Sequence, residues 1–185
     1  MADTDKFEEL REKLVKYEDI SDRIEFEIAT FLNGVSSDEI SESTSRKIKS
    51  MYKIIGELES LGDSGETISR ILSRKNSHGR VFDAESINNL NVMADAVNNA
   101  YDVMIENLTA ACNGKLENII NAYNAESYIN ELRDGYRDTI IGAVDSGEKN
   151  YPTSVYYMDI MSEYERMGDF MINISQNLEK AFINE

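Results

Sequence analysis

One proline and ten glycines are the only strong breakers in 185 residues, and this scarcity constrains the fold more than any other feature. Turn-rich β structure needs such residues at its many connections, whereas long helices exclude them from their interiors. The apolar spacing agrees with helices. Phe7, Leu10, Leu14, Tyr17, Ser21, Ile24, Ile28 and Phe31 alternate steps of three and four, with Ser21 the one polar member. This spacing predicts a buried helical seam, ended by Asn33-Gly34. Ser36 or Ser37 can cap a second helix, with acids at 38 and 39 in its first turn. In that helix Met51, Ile54, Leu58, Leu61, Gly65, Ile68 and Leu72 repeat the rhythm, and Gly65 suggests close approach of another backbone.

Residues 73–82 read as a loop. A third helix starts near Asp83, with seam Leu90, Ala94, Val97, Tyr101, Met104, Leu108 and Ala111. After a break at Asn113-Gly114, a fourth turns Ile129, Leu132, Tyr136, Ile140 and Ala143 inward. Ser146-Gly147 stops it, and Tyr151-Pro152-Thr153 leads into a fifth that buries Ile160, Tyr164, Met167, Met171, Ile174 and Leu178. The spacing therefore predicts an all-α, antiparallel bundle in a single domain, 1–185, with helices near 5–33, 37–74, 83–112, 115–145 and 153–182. Met and Tyr in these seams read as packing residues.

Composition narrows the function. Hydrophobic residues make up 41% and charged residues 29%, enough for a core in a soluble chain. No apolar run approaches the ~18 residues of a membrane span, and no secretory leader opens the sequence. Cys112 is the one cysteine and His78 the one histidine, which speaks against disulfides, thiolate zinc sites, His-rich metal sites and a Ser-His-Asp triad. Nineteen basic against thirty-five acidic residues leave a net charge of -16. Nucleic acid phosphate and anionic lipid would repel such a chain; cations or basic partners suit it. Arg70, Arg74, Lys75, His78 and Arg80 cluster around the first long loop, either solvated or facing phosphate or a partner's acids.

The second and fifth helices resemble each other. Residues 54–72, IIGELESLGDSGETISRIL, align without gaps on 160–178, IMSEYERMGDFMINISQNL. Glu57, Glu59, Gly62, Asp63, Ile68, Ser69 and Leu72 match Glu163, Glu165, Gly168, Asp169, Ile174, Ser175 and Leu178. Similar seams would repeat apolar positions, but not three acids and a mid-helix glycine. Glycine costs roughly 1 kcal/mol against alanine in a helix interior, so its duplication implies close contact or ligand access. The preceding helices match more weakly. Superposing Tyr17, Ile24 and Ile28 on Ile129, Tyr136 and Ile140 sets Glu18 and Asp22 over Asn130 and Asp134. The third helix stands between the copies, so a full repeat has three helices: repeat one, 1–75, lacks its first, and repeat two, 83–185, is whole.

Residues four apart share one helix face, about 5–6 Å between Cβ atoms. Glu18 and Asp22, Glu59 and Asp63, and Glu165 and Asp169 are such pairs, each beginning just after a seam residue. Neighbouring helices can bring two pairs together. Four converging oxygen donors suit a divalent cation, or an iron cluster without thiolates. The alternative is a solvated acidic face. Enzyme chemistry finds little support. There is no tryptophan to line a sugar cleft, no Glu-x-x-His motif for a di-iron oxidase and no P-loop.

The repeated motifs Glu59-Ser60-Leu61-Gly62-Asp63 and Glu165-Arg166-Met167-Gly168-Asp169, each preceded by a carboxylate helix, resemble the PhoU family of phosphate-regulatory proteins. Its members often carry E-R-I-G-D in the third helix of each three-helix repeat. The resemblance spans nearly the whole chain and rests on the order and spacing of the motifs. It implies a PhoU-like bundle with two metal sites: Glu18, Asp22, Glu59 and Asp63 in one; Asn130, Asp134, Glu165 and Asp169 in the other. Asn130 departs from the acid pattern, and Glu131 or Asp138 could substitute. The stretch from Ile20 to Ala29 is similar to the cytosolic C-terminal domain of bacterial sodium/phosphate cotransporter-related proteins. On that resemblance the chain is expected to be a non-catalytic regulator of phosphate uptake on the cytoplasmic side of the inner membrane. Its transporter partner would lie upstream in the same chain or in a separate protein. Other readings are a metal-dependent hydrolase or a metal-storage bundle, and a bundle whose surface alone matters. An uncovered apolar strip, left by the missing helix, would favour self-association.

Overall fold

The structure, a computed structural model, describes residues 2–36 and 40–183. It is all-α: α1 (Ala2–Ser36), α2 (Glu42–Ser77), α3 (Ala84–Cys112), α4 (Ile120–Asp145) and α5 (Tyr151–Phe182). The helix starts follow from capping. Ser41 Oγ accepts the Thr44 N–H at 3.1 Å, Asp83 Oδ1 that of Ser86 at 2.7 Å, and Asn150 Oδ1 that of Thr153 at 3.3 Å. Each satisfies an N–H that the first helical turn leaves without a partner. Pro152 sits in the first turn of α5, where its missing N–H costs nothing.

The expected cap of α2 is corrected. Ser36 is the last residue of α1, Ser37 and the acids at 38 and 39 lie outside the described residues, and Ser41 does the capping. Asn33-Gly34 does not end α1, which continues to Ser36. The stretch 73–82 is only partly loop: α2 continues to Ser77 and the chain reverses at Gly79, whose φ of 62° favours glycine. The fourth helix starts at Ile120 rather than near 115, after Ile119 is buried against Ala122 and Ile172.

At the centre α5 packs against α2, α3 and α4, and α3 also packs on α4. Among the described residues α1 packs on α2 alone. The central pair is antiparallel. Asn173 Nδ2 donates to Glu57 near mid-helix at 3.4 Å, His78 hydrogen-bonds Tyr156 at one end, and Lys47 lies over the Phe182 ring at the other. Met93, Met104, Ile129, Ile160 and Ile174 are fully buried in the core. The second half is thus a closed three-helix unit, and the first a two-helix unit.

The expected α1 seam is displaced. The side towards α2 carries Phe7, Arg11, Glu18, Ser21, Glu25, Ala29 and Leu32, all partly or fully buried. Leu10, Tyr17, Ile24 and Phe31 turn outward and are 50%, 65%, 52% and 69% exposed. The 3-4 rhythm located an apolar stripe correctly, but a stripe is buried only where a second element lies over it, and α2 covers just one edge. Met51 and Tyr101 are likewise exposed, while Ile54, Leu61, Val97, Met104, Ala111, Ile140, Met171 and Leu178 are buried as expected.

Candidate metal centre

Glu18 and Asp22, one turn apart on α1, meet Asp63 of α2 with one carboxylate oxygen from each within 4.8 Å of the others. Two oxygens on one Ca2+ lie at most about 4.6–5.2 Å apart, twice the usual bond length, so the three carboxylates are near enough to close on one such ion by small side-chain rotations. Partial desolvation holds the Glu18 carboxyl above its ordinary value, reinforced by the charges of Asp22, Asp19, Asp63 and Glu66. Glu59 stands beside the trio rather than in it. Its carboxyl is also pushed up, first by desolvation and then by Asp63, with smaller contributions from Glu25 and Asp22 and an opposing hydrogen bond from Ser60. Among the described residues no lysine or arginine forms an ion pair with Glu18, Asp22, Glu59 or Asp63.

The equivalent place in the second half is built differently. Arg133 pairs with Glu165 at 3.2 Å and with Asp134 at 3.3 Å. Asn130 donates to Glu126, and its Oδ1 is buried without a hydrogen bond. Glu165 is raised by desolvation and by Asp169, and Arg133 works against that rise. A guanidinium therefore stands where the first half has only carboxylates. The four residues expected there do not gather as a second cluster: Asp134 is largely solvated, its side chain 67% exposed.

Packing fixes the register between the halves. A Cβ added to Gly62 would lie 3.6 Å from Ser21 Oγ; one added to Gly168 would lie 3.1 Å from Ile129 Cδ1. Ser21 and Ile129 are thus structural counterparts. Glu18 then corresponds to Glu126, Asp22 to Asn130 and Glu25 to Arg133. The electrostatics agree in place and differ in sign: Glu25 acts on Glu59 and raises its carboxyl, and Arg133 acts on Glu165 and works to lower it. The superposition of Tyr17 on Ile129 is therefore one helical turn out of register. A weak apolar match repeats about every turn, and only contacts to the duplicated α2/α5 frame tell one turn from the next. Asp134 consequently has no counterpart in the first site, and Glu131 and Asp138 are exposed and join no cluster of the described residues. At 168 an added Cβ would crowd Ile129, which would have to give by a few tenths of an ångström; at 62 it would make ordinary contact. Gly65 meets only Leu14 Cδ2, at 3.8 Å, so no backbone approaches there.

Spacing alone did not single out Glu25, Glu126 or Arg133. Glu25 lies seven residues after Glu18 and so two turns along the same face, a signal that helical periodicity carries for this residue. Compared with known proteins, the chain matches no family model and no curated protein.

Proposed function

We propose that this chain is a non-catalytic regulatory module that holds a divalent cation between α1 and α2. The observation that carries the reading is the convergence of Glu18, Asp22 and Asp63, with Glu59 and Glu25 adding charge beside them. Carboxylate-only donors select hard cations, and clustering them without a counter-charge is unfavourable until a cation arrives. The contrast between halves supports the reading: where Arg133 supplies a positive charge, the acids need no ion. On the resemblance to the PhoU family, the setting is phosphate uptake, with a sodium/phosphate cotransporter-like membrane partner at the cytoplasmic face of the inner membrane. No helix of the described residues is long and apolar enough to cross a membrane.

A metal-dependent hydrolase is the competing reading. The trio lies on an open helix shoulder, with Asp22 and Asp63 exposed, and such a position neither excludes water nor orients a substrate. Melting of chelator-treated protein with added Ca2+, Mg2+, Mn2+ or Fe2+ tests the proposal. A ligand bound only by the folded state stabilises it by about 2.7 kcal/mol at a hundredfold excess over Kd. The wild type should show a rise in melting temperature, and Asp22→Asn with Asp63→Asn should abolish it while raising metal-free stability. No response to any of the four metals would refute the cation site, and turnover of phosphoesters lost with the same double substitution would favour the hydrolase.

A further inference from the structure

We infer that the outward stripe of α1 is a self-association surface on which two copies of this chain pack α1 against α1, antiparallel about a two-fold axis. Leu10, Tyr17, Ile24, Ile28 and Phe31 are exposed, while Leu14, 38% exposed and against Gly65, and Ser21, against Gly62, form the edge where the stripe meets α2. Their spacing of four and three repeats through Ser21 for three heptads, the pattern of a helix seam that faces another helix. From Leu10 to Phe31 the stripe runs about 32 Å.

The molecule carries its own control for what such a stripe needs. In the packing register, Tyr17 corresponds to Ala125 and Ser21 to Ile129, which α3 and α5 enclose to 7% and 0% exposure. Leu14 corresponds to Ala122, also buried, while Ile24 and Ile28 correspond to Leu132 and Tyr136, both packed against the core. One copy of the helix is covered by a third helix and the other is not. A helix is therefore the shape that fits the open face.

Charge selects a second copy as the source of that helix. The shoulder of the stripe away from α2 carries Lys6, Lys13, Ile20 and Glu27 in successive heptads. Antiparallel packing centred on Ile20, midway between 13 and 27, sets Lys13 of each copy beside Glu27 of the other. In a parallel pair the same shoulder of the two copies lies on opposite sides of the seam, so Lys13 and Glu27 would not meet. The surface pair of Lys13 with Glu9 is of the weak i, i+4 kind and can exchange for the intermolecular one. A two-fold interface uses the same patch on both copies, as this self-complementary pattern requires. The inference is independent of the cation site, whose residues lie on the α2 side of the helix.

Sedimentation equilibrium of the full chain tests it, with circular dichroism as the check on folding. Wild type should form a dimer. Tyr17→Asp with Ile24→Asp, both at exposed positions that a monomer tolerates, should be monomeric with an unchanged helical spectrum. Lys13→Glu alone and Glu27→Lys alone should each weaken the dimer by ~10-fold or more, and the two together should restore it. A wild type that stays monomeric at high concentration overturns the inference, as does a dimer indifferent to Tyr17→Asp with Ile24→Asp. Failure of the charge exchange to restore the dimer overturns the antiparallel arrangement.

Discussion

At the scale of single residues, the proposed cation site is a problem of protons as well as metals. The Glu18 and Glu59 carboxyls are held above 4.5 by desolvation and by neighbouring acids. A group raised in the folded state stabilises it fully below its unfolded value, and that contribution is lost as pH rises through the raised value. Chelator-treated protein should therefore melt higher near pH 5 than near pH 7. Added cation should reverse the trend, because protons then compete with the metal. Glu18→Gln with Glu59→Gln should flatten the metal-free slope, leaving the part due to Glu165, which is raised for similar reasons. Melting curves at the two pH values, with and without metal, check the sign. A chelator-treated protein that melts lower at pH 5, with no change on making the double substitution, would show that the two carboxyls are not raised.

At the scale of helices, the two halves are one plan with two endings. The duplicated α2 and α5 form the antiparallel spine, and α1 and α4 pack on it in matched register. The difference lies in which charge sits at the position of Glu25 and Arg133, and in whether a third helix closes the unit. Exchange of that charge should exchange the properties. Glu25→Arg should place a guanidinium beside Glu59, raise metal-free stability and remove the metal response of the first site. Arg133→Glu should cost about 1–3 kcal/mol, since the Arg133–Glu165 pair is only partly buried and its loss leaves Glu165 among acids. Combined with Asn130→Asp, it should give the second half a metal response of its own. Urea unfolding and metal-dependent melting check both arms; a Glu25→Arg protein with a full metal response would refute the equivalence of the two positions.

At the scale of the whole molecule, much of the fold was legible in the sequence. Breaker scarcity, 3-4 spacing and the ungapped α2/α5 repeat were enough for five helices and a doubled plan. Helix ends were less so, because Ser36, Ser37 and Ser41 all offer caps, and only tertiary packing chooses among them. The α1 stripe was located but its burial was not, since periodicity reports a face and not what covers it. Of the first site's four expected carboxylates, Glu18, Asp22 and Asp63 converge and Glu59 stands alongside. The second site was misplaced by a turn, because an apolar match cannot fix register where packing partners are unknown. The phosphate-regulatory reading draws on the resemblance, and the cation site draws on the geometry. On the proposed reading the first half holds a cation, and the second half holds Arg133 in its stead. Anomalous diffraction from crystals grown with Mn2+ tests it most directly. A peak bounded by Glu18, Asp22 and Asp63 is expected, and none among Glu126, Asn130 and Asp169. An absent first peak, or peaks of equal height at both places, would contradict it.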